Sequence, residues 1–340
     1  MDSSNTQHSP GLWALAWRRL RADRVAMPAL AVVAAFLLML LLSAGGLLVA
    51  DWEDEVAVSY APPSWGGAAP AELAAAAAAS APRPANEFDP LAEELRQLRA
   101  RAGAAGTAGA ALALRQTLPF GADKWGHDVV KKTIKGGETS IVVGLVAALL
   151  AVGLGTLFGA FSGYYGGLVD DFFNWFYSVF TAIPSILMIL TVAAVLQQKG
   201  VLTIVLILGL TGWTGPYRLI RAEYIKHKGR EYVMAADAIG ASHWRRMFSH
   251  ILPNVSHVAL VQLSILVVGF IKAEVILSFL GFGVPVGVVS WGSMLNEAQN
   301  ELILGKWWQL SAAALAMAVL VTAFSLLTDA LRDALDPKVT

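Results

Sequence analysis

The sequence predicts an all-α polytopic membrane protein with six transmembrane helices, and three observations carry that prediction. The 340 residues are 56% hydrophobic and only 15% charged. Several uncharged runs exceed the length that a soluble core helix needs. Basic residues gather at alternate ends of those runs, as the positive-inside bias requires. Formal charge balances, with 25 basic and 25 acidic residues, so no bulk field draws the chain to nucleic acid. The absence of cysteine excludes disulfides, thiolate metal sites and a cysteine nucleophile.

The elements follow in order. In residues 1–26, Leu12, Trp13, Trp17 and Leu20 interleave with Arg18, Arg19, Arg21 and Arg24, which predicts an amphipathic basic helix on the cytoplasmic membrane surface. Residues 27–50 hold no charge. As helix they would reach about 36 Å against a hydrocarbon core of about 30 Å. The run is longer than a signal-peptide core and no cleavage site follows it, so it is expected to remain as an anchor. The arginines before it place the N-terminus in the cytoplasm. Residues 51–137 are then an extracytoplasmic insert, acidic at first and rich in alanine and proline afterwards, with one short helix expected from Asp89 through Leu91, Leu95, Leu98 and Ala102. The insert is either a partly ordered spacer or a contact surface for a substrate-delivering protein.

Residues 138–337 form the helical core. A span over about 138–161 carries Gly144, Gly153, Gly155 and Gly159, small residues that permit close helix approach. A tight turn over 163–171 leads to a span over about 172–196 with Pro184 at its middle, a kink or a point lining a pathway. A fourth span covers about 201–217. The fifth starts near Val258 and runs past Glu274, whose charge would cost about 2.5–3.5 kcal/mol at the centre of a span. Such a residue is a functional candidate; the alternative is a position near the outer end, bonded to backbone. Residues 278–306, with glycines at 281, 283, 287 and 292 and Pro285, are too broken to cross lipid and are expected to fold back on the outer side. A sixth span over about 308–327 returns the C-terminus to the cytoplasm.

Between the fourth and fifth spans lies a basic loop, 226–254. In Glu231–Asn254, Tyr232, Ala235, Ala236 and Ile239 fall at i, i+3, i+4 and i+7, and Trp244, Met247, Phe248 and Ile251 repeat that spacing. Two short helices, each with one apolar face, are predicted. Gly240 stops the first, Ser242 caps the second and Pro253 ends it. Glu231, Arg245 and Arg246 lie off the apolar faces, where water or a soluble protein meets the membrane.

These residues carry a resemblance. Ala235-Ala236, then Gly240, then Leu252-Pro253 resembles the cytoplasmic coupling loop of bacterial ABC importer permeases, with Met234 where the motif usually has Glu and Asp237 where a basic residue is frequent. His250-Ile251-Leu252-Pro253-Asn254 resembles the C-type subunit of the dipeptide and oligopeptide subfamily. So do Gly163-Tyr164-Tyr165-Gly166-Gly167, Gly209 to Trp213, Ser278 to Gly281, Ser290-Trp291-Gly292 and Leu331 to Pro337. The resemblance implies the six-helix fold of type I ABC importers in a bacterial inner membrane. It implies as partners a homologous second permease, two cytoplasmic ABC ATPases that bind ATP and Mg, an extracytoplasmic solute-binding protein and membrane lipid. It further implies that the 231–254 pair docks on an ATPase through Tyr232, Ile239, Trp244 and Phe248, with Ala235, Ala236 and Gly240 allowing close approach. Peptides are the implied solute; a nickel complex, glutathione or a peptide-like antibiotic is the alternative.

Other chemistry finds little support. His243, His250 and His257 recur every seven residues, but no carboxylate completes a metal motif. Phe161-Ser162-Gly163 is similar to an intramembrane serine hydrolase only faintly, because Ala160 stands where such enzymes place glycine and no histidine lies plainly in another span. No Gly-x4-Gly-Lys-Ser/Thr occurs, since Gly305-Lys306 is followed by Trp307, so any ATP is bound by another chain. An ATP-independent channel is the remaining alternative.

Overall fold

A computed structural model describes residues 12–65, 94, 114–285 and 287–335. The expected helix after Asp89 and the alanine run lie outside the described residues, apart from the helical Glu94. Among the described residues the helices are α1 (Leu12–Ala22), α2 (Ala26–Ala44), α3 (Val129–Tyr165), α4 (Gly167–Thr181), α5 (Ser185–Leu196), α6 (Val201–Thr211), α7 (Thr214–Lys228), α8 (Glu231–Ala238), α9 (His243–Phe279), α10 (Trp291–Ile303) and α11 (Trp308–Leu335). Among the described residues the β-pairing is confined to isolated bridges, such as Ala57 with Arg115.

Among the described residues four helices, α2, α3, α9 and α11, are long and apolar enough to cross a membrane, or five if α4 and α5 together make one broken span. The differences from the expected spans have local causes. The first stops at Ala44, where Gly45 caps it, rather than at 50. The second starts at Val129 rather than near 138, because Asp128 accepts bonds from the Val130 and Lys131 amides and so caps a new N-terminus. Lys131, Lys132 and Lys135 therefore lie inside the helix, each paired with an acid: Asp51, Asp123 with Glu297, and Glu138 respectively. The third expected span is broken, α4 and α5 meeting at 81° across residues 182–184. The fourth is split at Gly212-Trp213, and α6, at 11 residues, reaches only about 16 Å.

The core centres on α3, which packs against α2, α6, α7, α9 and α11. Ile141, Ala147, Leu208, Val267, Ile271 and Leu320 are buried in its middle. Towards its C-terminal end Gly155, Gly159 and Gly163 recur every fourth residue and face the backbone of α7. A Cβ at these positions would stand 2.6 Å from the Trp213 carbonyl oxygen, 2.8 Å from that of Tyr217 and 2.6 Å from that of Arg221. Only glycine permits this approach. Gly153, expected to share it, meets nothing within 4 Å.

Polar structure gathers at the two ends of the bundle. At one, α10 lies across α9 and α11, its start fixed by a reciprocal Ser290–Ser293 capping box and by the Trp291 indole donating to the Thr133 carbonyl at 2.9 Å. Within residues 278–306, then, a 13-residue helix packs on two of the long helices. At the other end Leu20 of α1 and Ala26 of α2 pack with Ala334 and Leu335 of α11. The pair α8 and the start of α9 sits at that end too, beside the end of α3.

Candidate functional site

The loop predicted as a bent helix pair is one. Glu231–Ala238 is helical, Ile239 closes the helix, and Gly240 adopts φ +79°. The Ala241 amide reaches back to the Ala236 carbonyl at 3.0 Å, which terminates the helix in a left-handed turn. Ser242 accepts from the Arg245 amide at 3.3 Å and starts the next helix.

Two expectations need correction. Pro253 does not end the second helix: α9 runs on from His243 to Phe279. A proline inside an α-helix would clash with the carbonyl four residues earlier and lacks the N–H that should bond to it. Here Arg246–Ile251 form a π-helical turn, with the Leu252 amide donating to the Met247 carbonyl, so the ladder is already shifted where proline enters. The second short helix of the pair and the fifth span are consequently one helix of 37 residues.

The second correction concerns the apolar faces. In α8 the buried residues are Val233 and Ala236, whereas Tyr232, Ala235 and Ile239 point outward. In the following turn Met247 and Ile251 are buried, Phe248 is half-buried and Trp244 is outward. Val233, Met247 and Ile251 fasten the pair to Tyr164, Ile220 and Tyr224 of α3 and α7, and the Tyr224 hydroxyl donates to the Met247 carbonyl at 3.1 Å. Burial pushes the Tyr224 phenol far up, so it stays a donor. The outer surface remains apolar: Ile239 is 84% exposed, Trp244 62% and Met234 55%. A short amphipathic pair with both faces apolar has one face more than its own bundle uses.

Charged groups brace the bend. Arg246 pairs with Asp237 at 2.5 Å, tying α8 to α9 across Gly240. His243 Nδ1 lies 2.9 Å from both the Arg246 guanidinium and the Tyr164 hydroxyl, which joins the pair to α3. Arg245 and Glu231 are exposed. Further in, Asp170 of α4 accepts from Arg221 Nε and Nη2 at 2.6 Å each and also from the Ser162 hydroxyl, while Ser162 is 3.0 Å from the Tyr217 hydroxyl. Ser162 is fully buried in this structural knot, bonded to Asp170 and Tyr217.

Residues 155–340, more than half of the chain, match the family of binding-protein-dependent transport system inner membrane components. The chain belongs to this family. Residues 11–63 match a second family, the N-terminal transmembrane domain of oligopeptide transport permease C. Among relatives, the chain is 36% identical over 220 residues to a dipeptide transport system permease protein of Bacillus subtilis, covering 65% of this chain and 68% of that one. It is 36% identical to the oligopeptide transport system permease protein of the same organism, covering 65% and 72%. It is 33% identical to that of Haemophilus influenzae, covering 64% and 70%. The chain is thus a permease subunit, a transport component rather than an enzyme.

In this permease Pro184 caps the start of α5, so the expected kink is a break. The break opens on a cavity of about 370 Å³ lined by Ser185, Ile189, Thr211, Gly212, Gly269 and Phe270. Glu274 does not line it. It is fully buried, bonded by Ser140 and Ser278 hydroxyls at 2.6 Å each. Ser140 in turn accepts from the Trp291 amide and Ser278 from the Val284 amide, so Glu274 reaches the backbone of the 278–306 segment through two serines rather than directly.

A second acidic group was invisible in the sequence. Lys132 Nζ meets Asp123 at 2.8 Å, Glu297 at 2.6 Å and Gln309 at 3.3 Å. Burial works against the Asp123 carboxylate, yet the Lys132 ammonium and the His127 amide hold it below the usual range. Beside them Glu301 is 2% exposed with neither carboxylate oxygen hydrogen-bonded, and burial raises it to about 7. Among the described residues no three His, Asp or Glu side chains are placed to hold a metal.

Proposed function

We propose that this permease is one of two homologous membrane subunits of an ATP-driven peptide importer and that its α8–α9 pair is the surface on which a cytoplasmic ATPase acts. The observation that carries the reading is the doubled apolar face. Val233, Met247 and Ile251 secure the pair to the bundle, leaving Tyr232, Ile239 and Trp244 for a partner. In this reading the termini and the pair are cytoplasmic, and the ATPases carry ATP and Mg. A solute-binding protein delivers peptide at the α10 end. The peptide class follows the names of the dipeptide and oligopeptide relatives.

The mechanism is a lever. ATPase closure displaces α8, and the displacement passes through Asp237–Arg246 and His243–Tyr164 to α3, and along the continuous α9 to the span beside the cavity. Because π-turn and span are one helix, no loop absorbs the movement. Pro184 and Gly212 stand at the breaks where α5 and α6 can shift against it.

Co-purification from native membranes tests the reading. Recovery of a second permease and two ATPases, with hydrolysis stimulated by peptide-loaded binding protein, is expected. Recovery of the chain alone, or stimulation by a nickel complex or glutathione and not by peptides, would overturn it.

A further inference from the structure

We infer that the cleft between α2 and α11 binds an anionic phospholipid, with one acyl chain in the cleft and the phosphate on Arg24. The cleft has a volume of about 620 Å³. On α2 it is walled by Val25, Pro28, Ala29 and Val32, at i, i+3, i+4 and i+7, and on α11 by Ala318, Thr322 and Leu326, at i, i+4 and i+8. Each set is one helix face. Small side chains on both faces make the hollow, and apart from the Thr322 hydroxyl the walls are hydrocarbon.

Arg24 is the single charged side chain lining it, and it stands beyond the first turn of α2 at the end where α1 lies. Asp23, its neighbour in sequence, is engaged in accepting from the Val25 and Ala26 amides at 2.7 and 3.2 Å. Arg18 and Arg21 are exposed nearby in sequence, Arg21 over the Trp17 ring at 5.0 Å.

The dimensions select the occupant. Val25 to Val32 spans about 10 Å and Ala318 to Leu326 about 12 Å, within the roughly 15 Å that one leaflet contributes to a hydrocarbon core of about 30 Å. A ligand must therefore be apolar over most of one leaflet's depth and anionic at the interface. An anionic phospholipid has that form, and a zwitterionic one offers Arg24 a compensated charge. Thr322 lies at the depth of the chain, where a lone inorganic phosphate would be without a second cation. The inference rests on the membrane spans of the family and not on the peptide or ATPase reading.

The test is native mass spectrometry of the full chain, purified and delipidated, then titrated with phosphatidylglycerol or phosphatidylcholine. One phosphatidylglycerol should be retained with a preference of roughly fivefold, the worth of one basic residue at an anionic surface. Arg24→Gln should remove the preference, Arg24→Lys should keep it, and Thr322→Trp, which fills the cleft, should abolish retention. Unchanged circular dichroism and thermal unfolding identify variants that fold. Equal retention of the two lipids, a preference that survives Arg24→Gln, or displacement by millimolar inorganic phosphate would each overturn the site. So would cross-linking of Val319→Cys to a second permease across the cleft, since another protein would then occupy it.

Discussion

At the scale of single residues, Glu301 makes the sharpest pH prediction. Enclosed beside Asp123 and Glu297 with no hydrogen bond to its carboxylate oxygens, it holds a proton up to about 7 in the fold, whereas an unfolded chain releases it near 4.5. The folded state binds the extra proton between those values, so the contribution to stability is fully present below pH 4.5 and lost as pH rises through 7. The loss amounts to about 3 kcal/mol. Thermal unfolding in detergent from pH 4.5 to 8 should show a decline that Glu301→Gln flattens; parallel curves would mean that the carboxyl finds a partner. Asp237 behaves differently. Its side chain is 63% exposed, so Asp237→Ala should cost less than about 1 kcal/mol by thermal unfolding. If the lever reading holds, uptake falls all the same, because the tie across Gly240 is gone.

Between helices, the decisive feature is the glycine seam of α3 on α7. Gly159→Leu must push back the Tyr217 carbonyl and the Arg221 amide, both backbone groups, and should destabilise by about 1–3 kcal/mol. Gly153→Leu, facing open space, should cost little, and unfolding measurements on the two variants separate a packing role from a helix-propensity effect. The π-turn before Pro253 belongs to this scale as well. A rule that treats proline as a terminator describes an isolated helix, in which the lost hydrogen bond has no substitute. In the bundle, Met247, Ile251 and Val255 are all fully buried, and their packing holds the helix together through the turn.

For the molecule as a whole, the surface built from Ile239 and Trp244 should be separable from the fold. Ile239→Asp introduces a charge at an 84% exposed position, so insertion and thermal stability are expected to match wild type while ATPase subunits are lost on purification. Retained ATPases with normal uptake would sink the docking proposal. Ser162→Ala breaks bonds to Asp170 and Tyr217 and should lower stability modestly while leaving uptake measurable, because the hydroxyl serves packing.

Much of this was legible along the chain. Uncharged length announced the spans, since lipid solvates neither charge nor unpaired backbone. Helical spacing around Gly240 announced the pair, because left-handed φ and side-chain capping are local properties. The inward choice of Val233 over Tyr232 was not legible: both faces of that run are apolar, and spacing alone cannot say which one the bundle takes. The network of Lys132 with Asp123, Glu297 and Gln309 joins residues up to 177 positions apart, and its members look like ordinary flanking charges until α3, α10 and α11 are assembled. Local chemistry therefore specified the membrane class, the helical runs and the bend between 231 and 254. Which apolar face turned inward, where the third and fourth spans broke and which acid was left without a partner were decided on assembly, because each depends on contacts between segments that no local pattern encodes.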